Sequence, residues 1–377
     1  MKNSLVLTLG LATVLTAAAD VSKFDARIAA DTTMASADGM VWIDATTFPL
    51  ESKVCPETES PFGRIPAALA EKVPPSVRSM GYNTTGHYYL LETDSTKFGV
   101  RWECEQKTHQ DPYIPEQGMY GVDIYVKGDT GWRFVKNGRL GSVKDPKTGR
   151  AAAWDETRTD LAGKGMRQVI VYLPIRASIK WMRLGVSKGT TLRPAKHASG
   201  VTRPVVHYGT SLVHGGCASR PGIIFPTLAA RRLDVPYVNL GFSGRARLEP
   251  EMADVMAVAD ASLFIVDTVW NCDKKIIDER AEPFVRRLHE LRPGTPILLC
   301  EGPEASGWRM DTNDALLRVY NKLKAESAFA GKLYYLPSAG MLPDDGEATH
   351  DYIHPNDYGS MQMGRVFYEA IAKILKR

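Results

Sequence analysis

Val205-Val206-His207-Tyr208-Gly209-Thr210-Ser211-Leu212-Val213-His214-Gly215-Gly216 is the stretch that decides the fold. It begins as a short apolar run of strand type and then breaks into a turn, with Gly209 before Ser211 and two glycines after it. A helical pattern follows from about Phe225. A serine at the C-terminal end of a first strand, just ahead of a helix, stands where a doubly wound α/β domain places a reactive group. Nearby backbone N–H groups would be free to bind an anion. Gly-x-Ser triplets are common in ordinary turns, so the rest of the chain must supply a base, an orienter for it and donors for an oxyanion.

Downstream, strands and helices alternate. Phe225–Leu233 has helical spacing with Pro226 near its start, where proline is tolerated. Tyr237–Leu240 reads as a second strand ending in Gly241-Phe242-Ser243-Gly244. A helix is expected over Met252–Ala259 and a buried strand over Ala261–Asp267. A long amphipathic helix over Ile276–Leu291 stops at Pro293-Gly294. Strands at 295–300 and 332–336 flank a helix over Asn313–Phe329, and a last helix runs from Tyr358 to about Leu375. This order predicts a parallel five-stranded sheet with right-handed crossovers, flavodoxin-like, its chemistry gathered at the strands' C-terminal ends.

The polar residues on those ends form a set. Ser211 follows strand one, Gly244 strand two, Asn271 strand three, and Asp351 with His354 strand five. A serine needs a base to become a nucleophile, and a histidine base needs a carboxylate to fix its tautomer. Asp351 and His354 are three residues apart, so one turn can face both to the same side. The N–H groups of Ser211 and Gly244 and the amide of Asn271 could hold an oxyanion, each such donor being worth about 3–4 kcal/mol in the transition state. His214, Arg220, Arg245, Arg247 and Glu301 fall on the same rim; His214, Arg247 and Glu301 are candidate substrate contacts. His207 reads as a core histidine and Asp267 as structural. No cofactor is expected, nor a metal site, since the set already claims His354.

The remaining chain bounds the setting. With 377 residues, 44% hydrophobic and 24% charged, the protein reads as globular with room for two or three domains. A net charge of +4 without Lys/Arg clusters gives no nucleic-acid footprint. Lys2, the apolar run to Thr16 and Ala17-Ala18-Ala19 have the layout of a cleavable signal peptide at residues 1–19, so a secreted or periplasmic protein without a membrane span is expected. Five cysteines are too few for a disulfide scaffold, though Cys55 and Cys104 could pair in an oxidising compartment.

Residues 20–186 read as all-β. Strand candidates are Met40–Ile43, Tyr88–Glu92, Phe98–Glu103, Gln168–Leu173 and Ile179–Leu184, with a hairpin from Gly121–Val126 to Trp132–Val135. Short strands with turn signals and no helical stretch predict a β-sandwich. Trp42, Trp102, Trp132 and Trp181 are expected in its core, against the alternative of a sugar-binding surface. The polar, aperiodic segment 187–203 reads as a linker to a domain at 204–377.

The four ordered blocks, Gly209-Thr210-Ser211, Asn239-Leu240-Gly241-Phe242-Ser243-Gly244, Trp270-Asn271 and Asp351-Tyr352-Ile353-His354-Pro355-Asn356, resemble those of the SGNH (GDSL-type) hydrolase superfamily. His207–Ser211, Gly216-Cys217-Ala218-Ser219-Arg220-Pro221-Gly222 and Gly121–Val126 resemble a secreted bacterial subgroup in which a β-sandwich precedes the hydrolase. The resemblance covers the chain from about Met40 onward. It implies Ser211 as nucleophile, His354 as base, Asp351 as orienter, and Ser211, Gly244 and Asn271 as oxyanion donors. Thr210 stands where many relatives have aspartate, and Val269-Trp270-Asn271 lacks the usual glycine two before the asparagine.

The expected function is a serine esterase that removes small acyl groups, above all acetyl, from an acylated polysaccharide or oligosaccharide. A lipase, phospholipase or thioesterase on the same machinery is the alternative, as is a non-catalytic carbohydrate-binding protein.

Overall fold

The computed structural model describes residues 39–105, 113–304 and 310–377; the signal peptide expected at residues 1–19 lies outside them. Two antiparallel sheets form the N-terminal sandwich. One has the order β1 (Met40–Asp44), β8 (Ile179–Ser187), β3 (Lys97–Cys104), β6 (Trp154–Asp160). The other has the order β5 (Gly131–Asn137), β4 (Asp123–Gly128), β7 (Arg167–Tyr172), β2 (Tyr88–Thr93), β9 (Leu192–Pro194). Alternate residues from both sheets meet in one core: Phe98, Val100, Trp102 and Leu184 face Leu91, Ile124, Val169 and Val171.

Two expectations for this half are corrected. Helices are present: α1 (Pro75–Met80) and α2 (Glu116–Tyr120) are too short to leave a periodic signature. The segment 187–203 is more than a linker, because β9 inside it pairs with β2. Both unforeseen strands, β6 and β9, are sheet edges. The charges of Trp154-Asp155-Glu156-Thr157-Arg158-Thr159-Asp160 and the proline of β9 suit an edge and hide a strand from a search for apolar alternation.

The tryptophans divide. Trp102 is fully buried between the sheets, its Nε1 donating to Tyr120 O at 2.8 Å. Trp42 lies on the opposite face, where Gly99 and Gly185 leave room for its ring and the Arg101 guanidinium covers it at 3.9 Å. Trp132 and Trp181 are half-buried. Cys55 and Cys104 are not joined in a disulfide.

The C-terminal domain is the expected doubly wound parallel sheet, in the order β11 (Tyr237–Gly241), β10 (Val205–Gly209), β12 (Leu263–Asp267), β13 (Ile297–Cys300), β14 (Leu333–Leu336). After β10 comes one helical turn, α3 (Ser211–His214). The remaining helices are α4 (Phe225–Leu233), α5 (Pro250–Val258), α6 (Lys274–Leu291), α7 (Asp311–Lys324) and α8 (Asp357–Leu375). Each strand is apolar on both sides. Val206, Tyr208 and Phe264 pack toward α5, α6 and α7, while Val205, Leu263 and Ile265 pack toward α4 and α8. Among the described residues no helix is long and apolar enough to cross a membrane.

The boundary between the halves is not a clean cut. Val54, Ile65, Ala70, Val73 and Val77, from the N-terminal half, belong to the same buried cluster as Val206, Leu240 and Met252. The sandwich also clamps the loop after α3. Asp123, fully buried, accepts from Arg220 Nη1 at 2.9 Å and from Gly222 N at 2.8 Å, and Arg220 Nη1 also donates to Tyr125 Oη at 2.5 Å.

Candidate active site

Ser211 sits at the sheet's C-terminal edge because β10 ends in a glycine that must be a glycine. A Cβ at Gly209 would lie 2.3 Å from Val213 Cγ2 and 2.9 Å from Asp267 O, so α3 can fold back tightly onto the strand ends. Thr210 caps α3, its Oγ1 accepting from Leu212 N. Ser211 opens the helical turn, where a backbone N–H has no acceptor within the helix.

The loop before α8 brings Asp351 and His354 to the same edge. Asp351 Oδ1 accepts from Ile353 N (3.0 Å) and His354 N (2.7 Å), which bends the segment; Tyr352 between them has φ +65° and donates its N–H to Thr349 Oγ1. Cys217 N donates to Pro355 O at 3.1 Å and ties this loop to the chain that follows α3. As a result Ser211 Oγ lies 2.7 Å from His354 Nε2, and His354 Nδ1 lies 2.7 Å from Asp351 Oδ2. The carboxylate accepts, so the Nδ1 proton points to it and Nε2 is left to accept from the serine hydroxyl. Burial pushes the Asp351 carboxyl up, but the hydrogen bonds from the His354 backbone and ring and from Ile353 outweigh it and hold it below its ordinary value.

Gly244 and Asn271 lie on adjoining loops. Arg245 N donates to Phe242 O at 3.0 Å, closing a turn in which Gly244 has φ +66°. Asn271 ends a single 3-10 turn after β12, and its Nδ2 donates to Arg245 O. An amide carries two N–H donors, so one remains.

The three candidate substrate contacts separate. His214 is fully buried; its Nδ1 accepts from Arg176 Nη1 (3.0 Å) and faces Ser243 N (3.3 Å) and Oγ (3.2 Å), beneath the site rather than on its rim. Burial, with the Arg176 and Arg64 charges, pushes its pKa well below the usual imidazole range. Glu301 is 2% exposed and accepts from Tyr335 Oη, Ser338 N and Ser338 Oγ, so it fastens the ends of β13 and β14. Arg247 stays exposed. Of the other rim residues, Arg220 turns to the sandwich, while Arg245 is exposed. His207 is buried, with Nδ1 2.7 Å from Tyr237 Oη and Nε2 3.4 Å from Asp267 Oδ2. Among the described residues no group of three His, Cys, Asp or Glu side chains is arranged to hold a metal ion.

Sequence reasoning missed Arg64 and Arg176, which reach under the Gly241–Gly244 loop from the other half of the chain. Neither carries a local signal. Asp123 did carry one: an acidic residue inside an otherwise apolar strand.

Two family descriptions match the chain. The GDSL-like lipase/acylhydrolase family matches residues 202–372, and the GxDLY family, the N-terminus of SGNH-hydrolase-type esterases, matches residues 40–192. No curated protein matches it. Among solved structures, one from Bacteroides ovatus described as a GDSL-like lipase is 27% identical, covers 89% of this chain and 98% of its own, and has a TM-score of 0.78. The salicylyl-acyltransferase SsfX3 of a tetracycline biosynthetic pathway is 18% identical over 90% of this chain and 98% of its own, with a TM-score of 0.67. A family two carbohydrate esterase from Cellvibrio japonicus is 14% identical over 78% of this chain and 90% of its own, with a TM-score of 0.53. The pattern Gly-x-Asp-Leu-Tyr stands here as Gly121-Val122-Asp123-Ile124-Tyr125, and its Asp and Tyr are the clamp on Arg220 and Gly222.

Proposed function

Because the chain belongs to the SGNH (GDSL-type) hydrolases, in the form that carries a β-sandwich ahead of the hydrolase domain, we propose that it is a secreted serine esterase that removes small acyl groups, above all acetyl, from a polysaccharide or oligosaccharide. The observation that carries the reading is the unbroken run of hydrogen bonds from Ser211 Oγ through the His354 ring to Asp351.

In this reading Ser211 Oγ attacks the acyl carbonyl and His354 Nε2 takes its proton. The carbonyl π electrons move to oxygen, and that oxyanion is held by Ser211 N–H, Gly244 N–H and the second N–H of Asn271. Collapse breaks the ester C–O bond, and His354 returns its proton to the departing sugar oxygen. Water then attacks the acyl-enzyme with His354 as base, releasing the carboxylic acid and restoring the serine. Asp351, held as a carboxylate, keeps the imidazole in the productive tautomer and stabilises it when charged.

Several features support the finer parts. Trp270, ahead of Asn271, packs against Gly302, which places a large ring at this edge and favours a small acyl group. The sugar rests on the similar fold of carbohydrate esterases, and secretion rests on the layout of Met1–Ala19.

The test is acetate release from a panel of acetylated polysaccharides, with a chain-length series of p-nitrophenyl esters alongside. The expected result is acetate release and a preference for acetyl over longer esters, with Ser211→Ala lowering kcat by about 10⁴-fold or more. Full activity in Ser211→Ala would overturn the mechanism. A preference for long chains would replace the acetylesterase by a lipase-type enzyme. Glycan binding without hydrolysis would leave a carbohydrate-binding protein.

A further inference from the structure

Beneath the Gly241–Gly244 loop lies a set of polar side chains that the mechanism above does not use, and three of them come from the N-terminal half. Arg64 is wholly buried. Its guanidinium donates to Gly241 O (2.8 Å), Asn239 O (3.3 Å), Asn83 O (2.8 Å) and Met80 O (2.8 Å), and it lies 4.6 Å from the centroid of the Phe242 ring. Thr85 Oγ1 donates to His214 O at 2.6 Å. Arg176 Nη1 donates to His214 Nδ1 and to Ser243 Oγ.

Each residue leading into Gly244 is therefore gripped. Arg64 holds the carbonyl of Gly241, Gly209 O accepts the N–H of Phe242 at 2.9 Å, and Arg176 with His214 holds Ser243. The grip matters because of the turn. Ser243 and Gly244 are the two central residues of a turn closed by Arg245 N and Phe242 O, and a positive φ at the second of them is the type II arrangement. Types I and II differ by a flip of the central peptide, with the flanking torsions changing by roughly 150–170°. The N–H carried by that peptide is the Gly244 N–H.

We propose that Arg176, supplied by the sandwich domain, is a positioning residue for the oxyanion site: by holding Ser243 it keeps the Ser243–Gly244 peptide in the orientation that presents the Gly244 N–H to the substrate oxygen. The inference rests on the esterase reading and on Gly244 as an oxyanion donor. It makes the hydrolase site incomplete without the N-terminal domain. His214 is the relay, and its depressed pKa keeps Nδ1 an acceptor for Arg176 throughout the neutral range. Arg64 fixes the strand end from which the turn departs. Burial, with the Arg176 charge beside it, pulls its pKa down to about 9, which leaves it protonated at neutral pH.

The test uses the full chain with p-nitrophenyl acetate, comparing wild type, Arg176→Ala, Arg176→Lys, Ser243→Ala, the double variant Arg176→Ala/Ser243→Ala, and Ser211→Ala. Loosening one donor is expected to lower kcat by about 10- to 100-fold in Arg176→Ala, with KM within about twofold of wild type. Ser243→Ala shows a smaller loss of the same kind. The double variant is no slower than Arg176→Ala, because both changes break one contact. Arg176→Lys, which keeps a charged donor, recovers part of the rate.

If Ser211→Ala is inactive while Arg176→Ala keeps the wild-type kcat, the positioning role is overturned and the esterase reading stands. If Ser211→Ala keeps its activity, the reading itself falls. A rise in KM at unchanged kcat would make Arg176 a substrate contact and overturn the proposal. Should Arg176→Ala lose its thermal transition, Ser243→Ala decides: a lowered kcat at constant KM supports the role, and a wild-type kcat removes it.

Discussion

Thr210 departs from the resemblance noted in the sequence, and its side chain shows what the position asks for. Its oxygen caps the helical turn that begins at Ser211, a task that needs one acceptor and no charge. Asp351 differs, because its charge and both of its oxygens are committed: Oδ1 shapes the loop through two backbone N–H groups, and Oδ2 faces His354 Nδ1. In Asp351→Asn the amide oxygen can still hold the loop, while the amide nitrogen turns a donor toward Nδ1 and forces the wrong imidazole tautomer. Steady-state kinetics are expected to show kcat lower by about 10⁴-fold with KM little changed, and thermal unfolding a midpoint near wild type. His214 and Glu301 show how far residue type alone can mislead. Both are polar and both follow strands at the sheet's C-terminal edge, yet they are spent on Ser243 and Arg176 in one case and on Tyr335 and Ser338 in the other. Burial separates them from Arg247, and burial depends on which loops lie above a residue, which spacing along the chain does not encode.

Among the elements, α4 illustrates how a helix end can join two domains. It stops at Asp234, whose left-handed backbone (φ 56°, ψ 51°) places its carboxylate against His197 Nδ1 (3.0 Å) and Lys127 Nζ (3.3 Å), both from the N-terminal side. Burial raises this carboxyl, but the His197 hydrogen bond and the Lys127 charge outweigh it and bring its pKa to about 2. The folded value lies below the ordinary one. The stabilisation is therefore present above about pH 4 and lost as pH falls toward 2, and it amounts to about 2 kcal/mol. Asn tolerates the same backbone, so Asp234→Asn removes the charge alone. Urea unfolding is expected to show the variant less stable by about that amount at pH 7, with the gap closing as the titration approaches pH 2. Apart from the single turn α3, the helices and parallel strands of the C-terminal half were legible because each is long or apolar enough to impose its period. Phe225–Leu233 is found as expected, and Lys274–Leu291 begins two residues early. Helix α1 and the edge strand β6 were not legible: one is a turn and a half long, and the other carries the charges of an exposed edge. That Ser211, Gly244, Asn271, Asp351 and His354 follow strands toward one edge was legible, because parallel topology sends every strand's C-terminal end to one side. Arg64 and Arg176 were not, because an arginine reaching across to another domain leaves no local pattern.

For the whole molecule, the two halves are one folding unit more than two. The apolar side chains of Val54, Ile65, Val73 and Val77 complete the cluster over Val206 and Leu240, and Arg64 satisfies the carbonyls at the end of β11. A fragment of residues 204–377 alone would expose that face and leave those carbonyls to water. It is expected to be insoluble or to lack a cooperative thermal transition, and to show no esterase activity, whereas residues 39–377 stay soluble, unfold cooperatively and turn over the ester; circular dichroism and p-nitrophenyl acetate turnover read the difference. The Asp123 clamp on Arg220 and Gly222 has a consequence for ancestry. Neither half could be exchanged for a distant relative's without bringing its opposite side of the contact, so the two coding segments should be inherited as a pair, and genes with one segment joined to an unrelated partner should be rare.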